Sequence, residues 1–199
     1  MASYRDTVQA IQPVIPALFD ALQYGLTTAT SDHADYRLKR DDDQHYYVHQ
    51  ARRLAVEELT RQGFLARDED SGRPLVPMSG IFIGYRGVAL RVYRTSKARS
   101  GKIAPPLPGR SVKKQEFWRQ EPALDGLDAD NILLTWSDDQ GRLDEQMRMY
   151  RPVAGDHRRD SFKCSWEGKL TRAMANLRAE DLRLLQADIE YPNLETGTT

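Results

Sequence analysis

At Gly63 the apolar residues of this chain change period. Before it they recur every three to four positions, and after it they tend to alternate. A chain patterned this way buries its apolar side chains by laying helices over a sheet, which sets the expected class as α+β. The expected architecture has N-terminal helices packed on an antiparallel sheet or small β-barrel, with one C-terminal helix. It divides into a helical part at 1–63, a mainly antiparallel part with a closing helix at 64–190, and a tail at 191–199. With 199 residues, both parts fit within a single domain.

Residues 4–25 carry Val8, Ile11, Ile15, Leu18, Phe19 and Leu22 at helical spacing, interrupted by Pro13 and Pro16. The polar run TTATSDHADYRLKR then reads as a connection. The next helix is the clearest element. Asp42 or Asp43 caps it, Gly63 ends it, and Tyr47, Val48, Ala51, Leu54, Ala55 and Leu59 form its apolar stripe. Downstream, Phe64-Leu65 and Leu75-Val76 suggest short strands around the turn DEDSGRP. GIFIGYRGVALRVYR reads as strands about a turn near Tyr85-Arg86-Gly87. NILLTW and LDEQMRMYRP form a hairpin, FKCSW a further strand, and 178–189 the closing helix.

Composition bounds function loosely. No apolar run reaches the roughly 20 residues needed to span a bilayer, and the start lacks a secretory pattern. With Cys164 as the only cysteine, a cytoplasmic protein without disulfides or a cysteine-rich zinc site is expected. The net charge of zero conceals a local imbalance. Residues 86–119 hold ten cations against Glu116, while 120–150 hold eight acids against Arg142 and Arg148.

The basic stretch is the strongest functional signal. Arg91, Arg94, Lys97, Arg99, Lys102, Arg110, Lys113, Lys114 and Arg119 are interleaved with Tyr93, Phe117 and Trp118. That mixture neutralises phosphates and stacks on bases, or docks an acidic protein. Alternatively its charges pair internally with the acidic hairpin at Asp138, Asp139, Asp144 and Glu145. His49, Arg52 and Arg53, on the far side of the helix at 43–62, offer a second contact surface.

His45 and His49, four apart, could hold a metal with Asp41 or His33. Tyr46 occupies the place where a zinc protease needs its glutamate, and Arg52 and Arg53 would repel a divalent ion, so no metal is expected. ARRLAVEELTRQGFLARDEDSGRPLV resembles the recognition helix and wing of winged-helix DNA-binding domains, though the preceding short helix and tight turn are absent. Glu167-Gly168-Lys169 with Asp156 or Asp160 has the carboxylate-and-lysine form of magnesium nucleases, provided neighbouring strands bring the acids together. Ser100-Gly101-Lys102 lacks the rest of a phosphate-binding loop, and PPLPGR matches a polyproline ligand in form only. Cys164 near His157 reads as core more readily than as a nucleophile and base.

Three segments together, DQHYYVHQARR, LPGRSVKKQEFWRQ and NILLTW followed by RPVAGDHRRDSFKCSWEGKL, resemble proteins of actinobacteria and phages found beside helix-turn-helix regulators. The resemblance implies a regulatory or mobile-element setting and brings no catalytic residue. The expectation is therefore a non-enzymatic regulatory binding protein without cofactor, contacting an acidic protein partner or nucleic acid and no membrane. A metal-dependent nuclease and a winged-helix-like DNA-binding regulator are the alternatives.

Overall fold

The computed structural model describes residues 2–38, 43–65, 80–95, 107, 110, 112–120, 130–156 and 161–191. Helix α1 (Tyr4–Ile11) starts in a capping box, in which the Ser3 side chain accepts from the Asp6 amide and Asp6 reaches back to the Ser3 amide. Pro13 and Pro16 end one helix and begin the next, because α2 (Val14–Asp35) tolerates prolines in a first turn whose amides lack helical acceptors. Helix α2 continues through TTATSDHAD, where a connection was expected. Leu26, Ala29 and His33 keep the helical spacing there and are all buried, so packing extends the helix.

Helix α3 (Gln44–Arg61) is capped by Asp43, whose carboxylate accepts from the Tyr46 amide at 2.9 Å. Tyr47, Ala51, Ala55 and Leu59 are buried as expected, and Val56 joins them. Gly25 sets how closely α2 and α3 pack, since a Cβ there would lie 2.2 Å from the Ala51 carbonyl oxygen.

Strands β1 (Ile81–Tyr85) and β2 (Val88–Arg94) form the expected hairpin. Arg86 and Gly87 both adopt positive φ, 46° and 74°, which matches the right-handed strand twist of a two-residue turn. The segment between β2 and β3 (Asp130–Trp136) contains a short helix, α4 (Val112–Trp118). That crossover makes β2 and β3 parallel, against the antiparallel expectation. Strand β3 then pairs antiparallel with β6 (Gln146–Asp156), and the connection carries a small ribbon of β4 (Asp138–Asp139) and β5 (Arg142–Leu143). Strand β7 (Ser161–Thr171) and the two-residue β8 (Ile189–Glu190) complete an open sheet in the order β1-β2-β3-β6-β7-β8. Only Ala179–Leu184 of the expected closing helix is helical (α5), and the chain then returns as edge strand β8.

Both faces of the sheet are covered. Ile83, Leu90, Val92, Ile132, Leu134, Met147, Met149 and Trp166 share one apolar core with α1, α2 and α3. Phe82, Ala89, Leu133, Tyr150 and Cys164 form a second core under Phe117 and Trp118 of α4. The layers are thus helices, sheet and a short helix, held together at β6 by Arg151. This buried guanidinium pairs with Asp130 at 2.6 Å.

Candidate anion-binding surface

At the carboxyl ends of the parallel pair, where Arg94 and Trp136 stand in register, Arg94 of the basic stretch meets the first turns of α3. Arg94 follows Leu90 and Val92 on the face turned toward α1–α3. Its Nε donates to Asp138 at 2.8 Å, and the Asp138 side chain is fully buried. One cation of the basic stretch is therefore matched within the chain by the acidic hairpin.

Beyond Arg94 a cleft of about 720 Å³ opens against the first turns of α3, walled by Asp43, His45, Tyr46, His49 and Arg52. The sequence placed Arg94 and His49 on separate surfaces, and the fold places them on one. Arg52 donates from Nη2 to His49 Nδ1 at 2.8 Å. A guanidinium can only donate, so in this contact Nδ1 is the acceptor. Burial and then the neighbouring Arg53 lower the pKa of Arg52. A carboxylate or phosphate entering the cleft could accept from the guanidinium fork. Arg53 itself points outward and pairs with Glu57 at 3.7 Å, an exposed contact that contributes little.

The histidine pair gains no further ligand among the described residues. His49 Nδ1 is occupied by Arg52, and Asp41 lies outside the described residues. His33 belongs to the helical packing, its ring 5.3 Å from that of Tyr46 and 5.4 Å from that of Tyr47. Among the described residues no three His, Cys, Asp or Glu side chains gather into a metal-binding group.

On the opposite face of the sheet the aromatic half of the basic stretch is corrected. Phe117 and Trp118 are 0% exposed and build the second core, so neither offers a face to a base. They lie on the sheet-facing side of a seven-residue helix, where burial of two large rings outweighs any surface role. Their partner is internal. The Arg91 guanidinium stands 4.6 Å from the Phe117 ring and 5.5 Å from that of Phe82. Lys114 reaches into the same layer, its pKa lowered by burial and then by Arg91. Arg110 and Arg119 are exposed. Lys97, Arg99 and Lys102 lie outside the described residues, as do the Lys113 side chain, the DEDSGRP turn and PPLPGR apart from Leu107 and Arg110.

Among the described residues the two alternatives find no assembled geometry. Glu167 pairs with Tyr150 and Asp156 with Ser161, six positions along the β7 ladder. At about 3.4 Å per residue that is about 20 Å, too far for one magnesium site; Asp160 and His157 lie outside the described residues. A winged-helix motif needs a short helix and tight turn ahead of its recognition helix, yet α2 runs 22 residues and packs closely on α3 at Gly25. Burial, then Glu167, pushes the Cys164 thiol up to about 11, leaving it a protonated core residue.

No family model, curated protein or solved structure matches this chain. Among the described residues, no helix is long and apolar enough to cross a membrane.

Proposed function

We propose that this protein is a non-enzymatic, cytoplasmic binding protein that works in a regulatory complex by capturing an acidic segment of a protein partner. The observation that carries this reading is the half-buried Arg52 guanidinium, which lines the cleft beside His49 and Arg94 with a fork that can meet a carboxylate. Arg94 stiffens the opposite wall through Asp138. A cleft of this volume takes a few side chains, the scale of a peptide contact. Nucleic acid is disfavoured because Phe117 and Trp118 provide no stacking platform. The outer face of α3 also alternates in sign, with Arg53 against Glu57 and Arg61 against Glu58, where a phosphate backbone would need a cationic stripe. The lone free thiol suits a reducing compartment.

The test is fluorescence anisotropy with a labelled oligoglutamate peptide and a labelled DNA duplex, each at two salt concentrations. The peptide is expected to bind, more weakly at high salt. Arg52→Glu should weaken it by tenfold or more, given roughly 1.5–3 kcal/mol for a hydrogen bond to a charged group. Peptide binding that survives Arg52→Glu, or tighter binding of the duplex, would overturn the reading.

A further inference from the structure

The cleft beside α3 is chemically uneven along its length. Near the N-terminal end of the helix its wall includes Tyr46, and six residues later it includes Arg52. At about 1.5 Å of rise per residue the two stand about 9 Å apart along the helix axis. The Tyr46 ring is stacked on one side by His33, with centroids 5.3 Å apart and 27° between the planes. His33 is buried, yet Tyr46 is 48% exposed, so the other face of its ring is open. Asp43 already fills the N-cap, its carboxylate accepting from the Tyr46 amide at 2.9 Å. That carboxylate answers the positive end of the helix and repels a second acid there. An acid entering the cleft is therefore directed to the other end, where Arg52 donates to His49 at 2.8 Å.

We propose that the acidic segment captured in this cleft carries an aromatic residue three positions from its acid, and that Tyr46 recognises this residue by stacking. The inference rests on the proposed function and names the partner's second determinant. The spacing follows from the wall. A segment in polyproline II form rises about 3.1 Å per residue with three residues per turn, so residues three apart share one side about 9 Å apart. That is the separation of Arg52 from Tyr46 along α3. A β-strand fits less well, because its same-side residues fall about 7 Å or 14 Å apart. An aromatic ring gains offset stacking and apolar burial on the open tyrosine face. A cationic side chain can also use such a face, but here it would share the cleft with Arg52. The His33 stack and the His49 contact hold both recognition groups in advance, which lowers the ordering cost of binding.

Fluorescence anisotropy of the full chain with labelled peptides tests the inference. The reference peptide is a Glu-Glu pair in a Gly-Ser background. Its variants place Phe or Arg three positions from the pair on either side, or Phe directly beside it. Phe three positions away, on one side or the other, should bind about fivefold or more tighter than the reference. Phe beside the pair and Arg at either position should gain less than about twofold. Tyr46→Phe should keep the gain from Phe, and Tyr46→Ser, shown to be folded by circular dichroism, should lose it. The peptide comparisons decide the case on the unmodified chain where Tyr46→Ser does not fold. No gain from Phe on either side, an equal gain from adjacent Phe or from Arg, or a gain retained in folded Tyr46→Ser overturns the proposal. If oligoglutamate binds through Arg52 and Phe adds nothing, this inference fails and the cleft reading stands. If neither oligoglutamate nor any of these peptides binds, both fail.

Discussion

Replacing Gly25 with alanine puts one methyl group where α2 and α3 touch. Its carbon would lie 2.2 Å from the Ala51 carbonyl oxygen, 3.1 Å from the Ala51 carbonyl carbon and 3.2 Å from the Ala55 nitrogen. Close carbon–oxygen contacts start near about 3.3 Å, so the two helices must move apart by about 1 Å. No rotamer change relieves the overlap, because all three atoms are main chain. Overlap this deep with main-chain atoms puts the cost at the upper end of overpacking, about 2–3 kcal/mol, and it also loosens Tyr47, Ala51 and Ala55 against the core. Alanine returns about 1 kcal/mol through its higher helix propensity. The net effect is a destabilisation of about 1–2 kcal/mol, which for a chain of this size lowers the melting temperature by roughly 2–8 °C. Circular dichroism melts of the two proteins measure it directly. A Gly25→Ala variant that melts at or above the unmodified temperature refutes the reasoning, since propensity would then outweigh a contact that does not exist.

Trp118→Ala separates the buried reading of this residue from a surface one. A tryptophan at 0% exposure should cost about 3–5 kcal/mol on truncation, measured by urea unfolding, whereas an exposed ring would change stability by less than about 0.5 kcal/mol. Alkaline pH should weaken the fold through Tyr4 and Cys164. Burial, then Asp188, pushes the Tyr4 hydroxyl from 10.0 up to about 12, and Cys164 moves from 9.0 to about 11. Both hold their protons more tightly when folded, so their contribution is complete below the unfolded values. It is lost as pH rises through 9–11 for Cys164 and through 10–12 for Tyr4. Melts in this range should therefore show a smaller pH-dependent fall for Tyr4→Phe, though from a lower starting point because its hydrogen bond to the Lys169 carbonyl is gone.

The sequence made the class of fold and its local turns legible because those signals are local. A turn near Tyr85-Arg86-Gly87 was marked by its glycine, and Asp42 or Asp43 with Gly63 framed α3 with a cap and a stop. The extension of α2 was harder to see, because TTATSDHAD spreads Leu26, Ala29 and His33 thinly through polar residues and only the packing against α3 declares the face. The parallel pairing of β2 and β3 depends on a crossover of more than thirty residues that no local pattern encodes. One hint was present. NILLTW is apolar without alternation, as expected of a strand covered on both faces, which implies a layer beyond the N-terminal helices. That layer is α4, and it is too short for periodicity to mark Phe117 and Trp118 as its inward side.

The charge imbalance was legible as composition, but its meaning depends on pairing that only the fold supplies. Arg94 belongs to the basic stretch by sequence and to Asp138 by structure, so it adds rigidity more than free positive charge. Arg91 is held on phenyl rings, and its flanking aromatics serve the cation in place of a base. Among the described cations these pairings divide a continuous basic surface into two small groups on opposite faces of the sheet. Arg52 with His49 opens to a cleft beside α3, while Arg91 lies between the sheet and α4, with Lys114 on that helix. A long polyanion needs charge laid out along a line, which two separated groups do not offer. Under the proposed capture of an acidic segment at Arg52, salt dependence should be shallow, corresponding to one or two charges, in contrast to the steep slope of a protein that displaces many counterions from DNA.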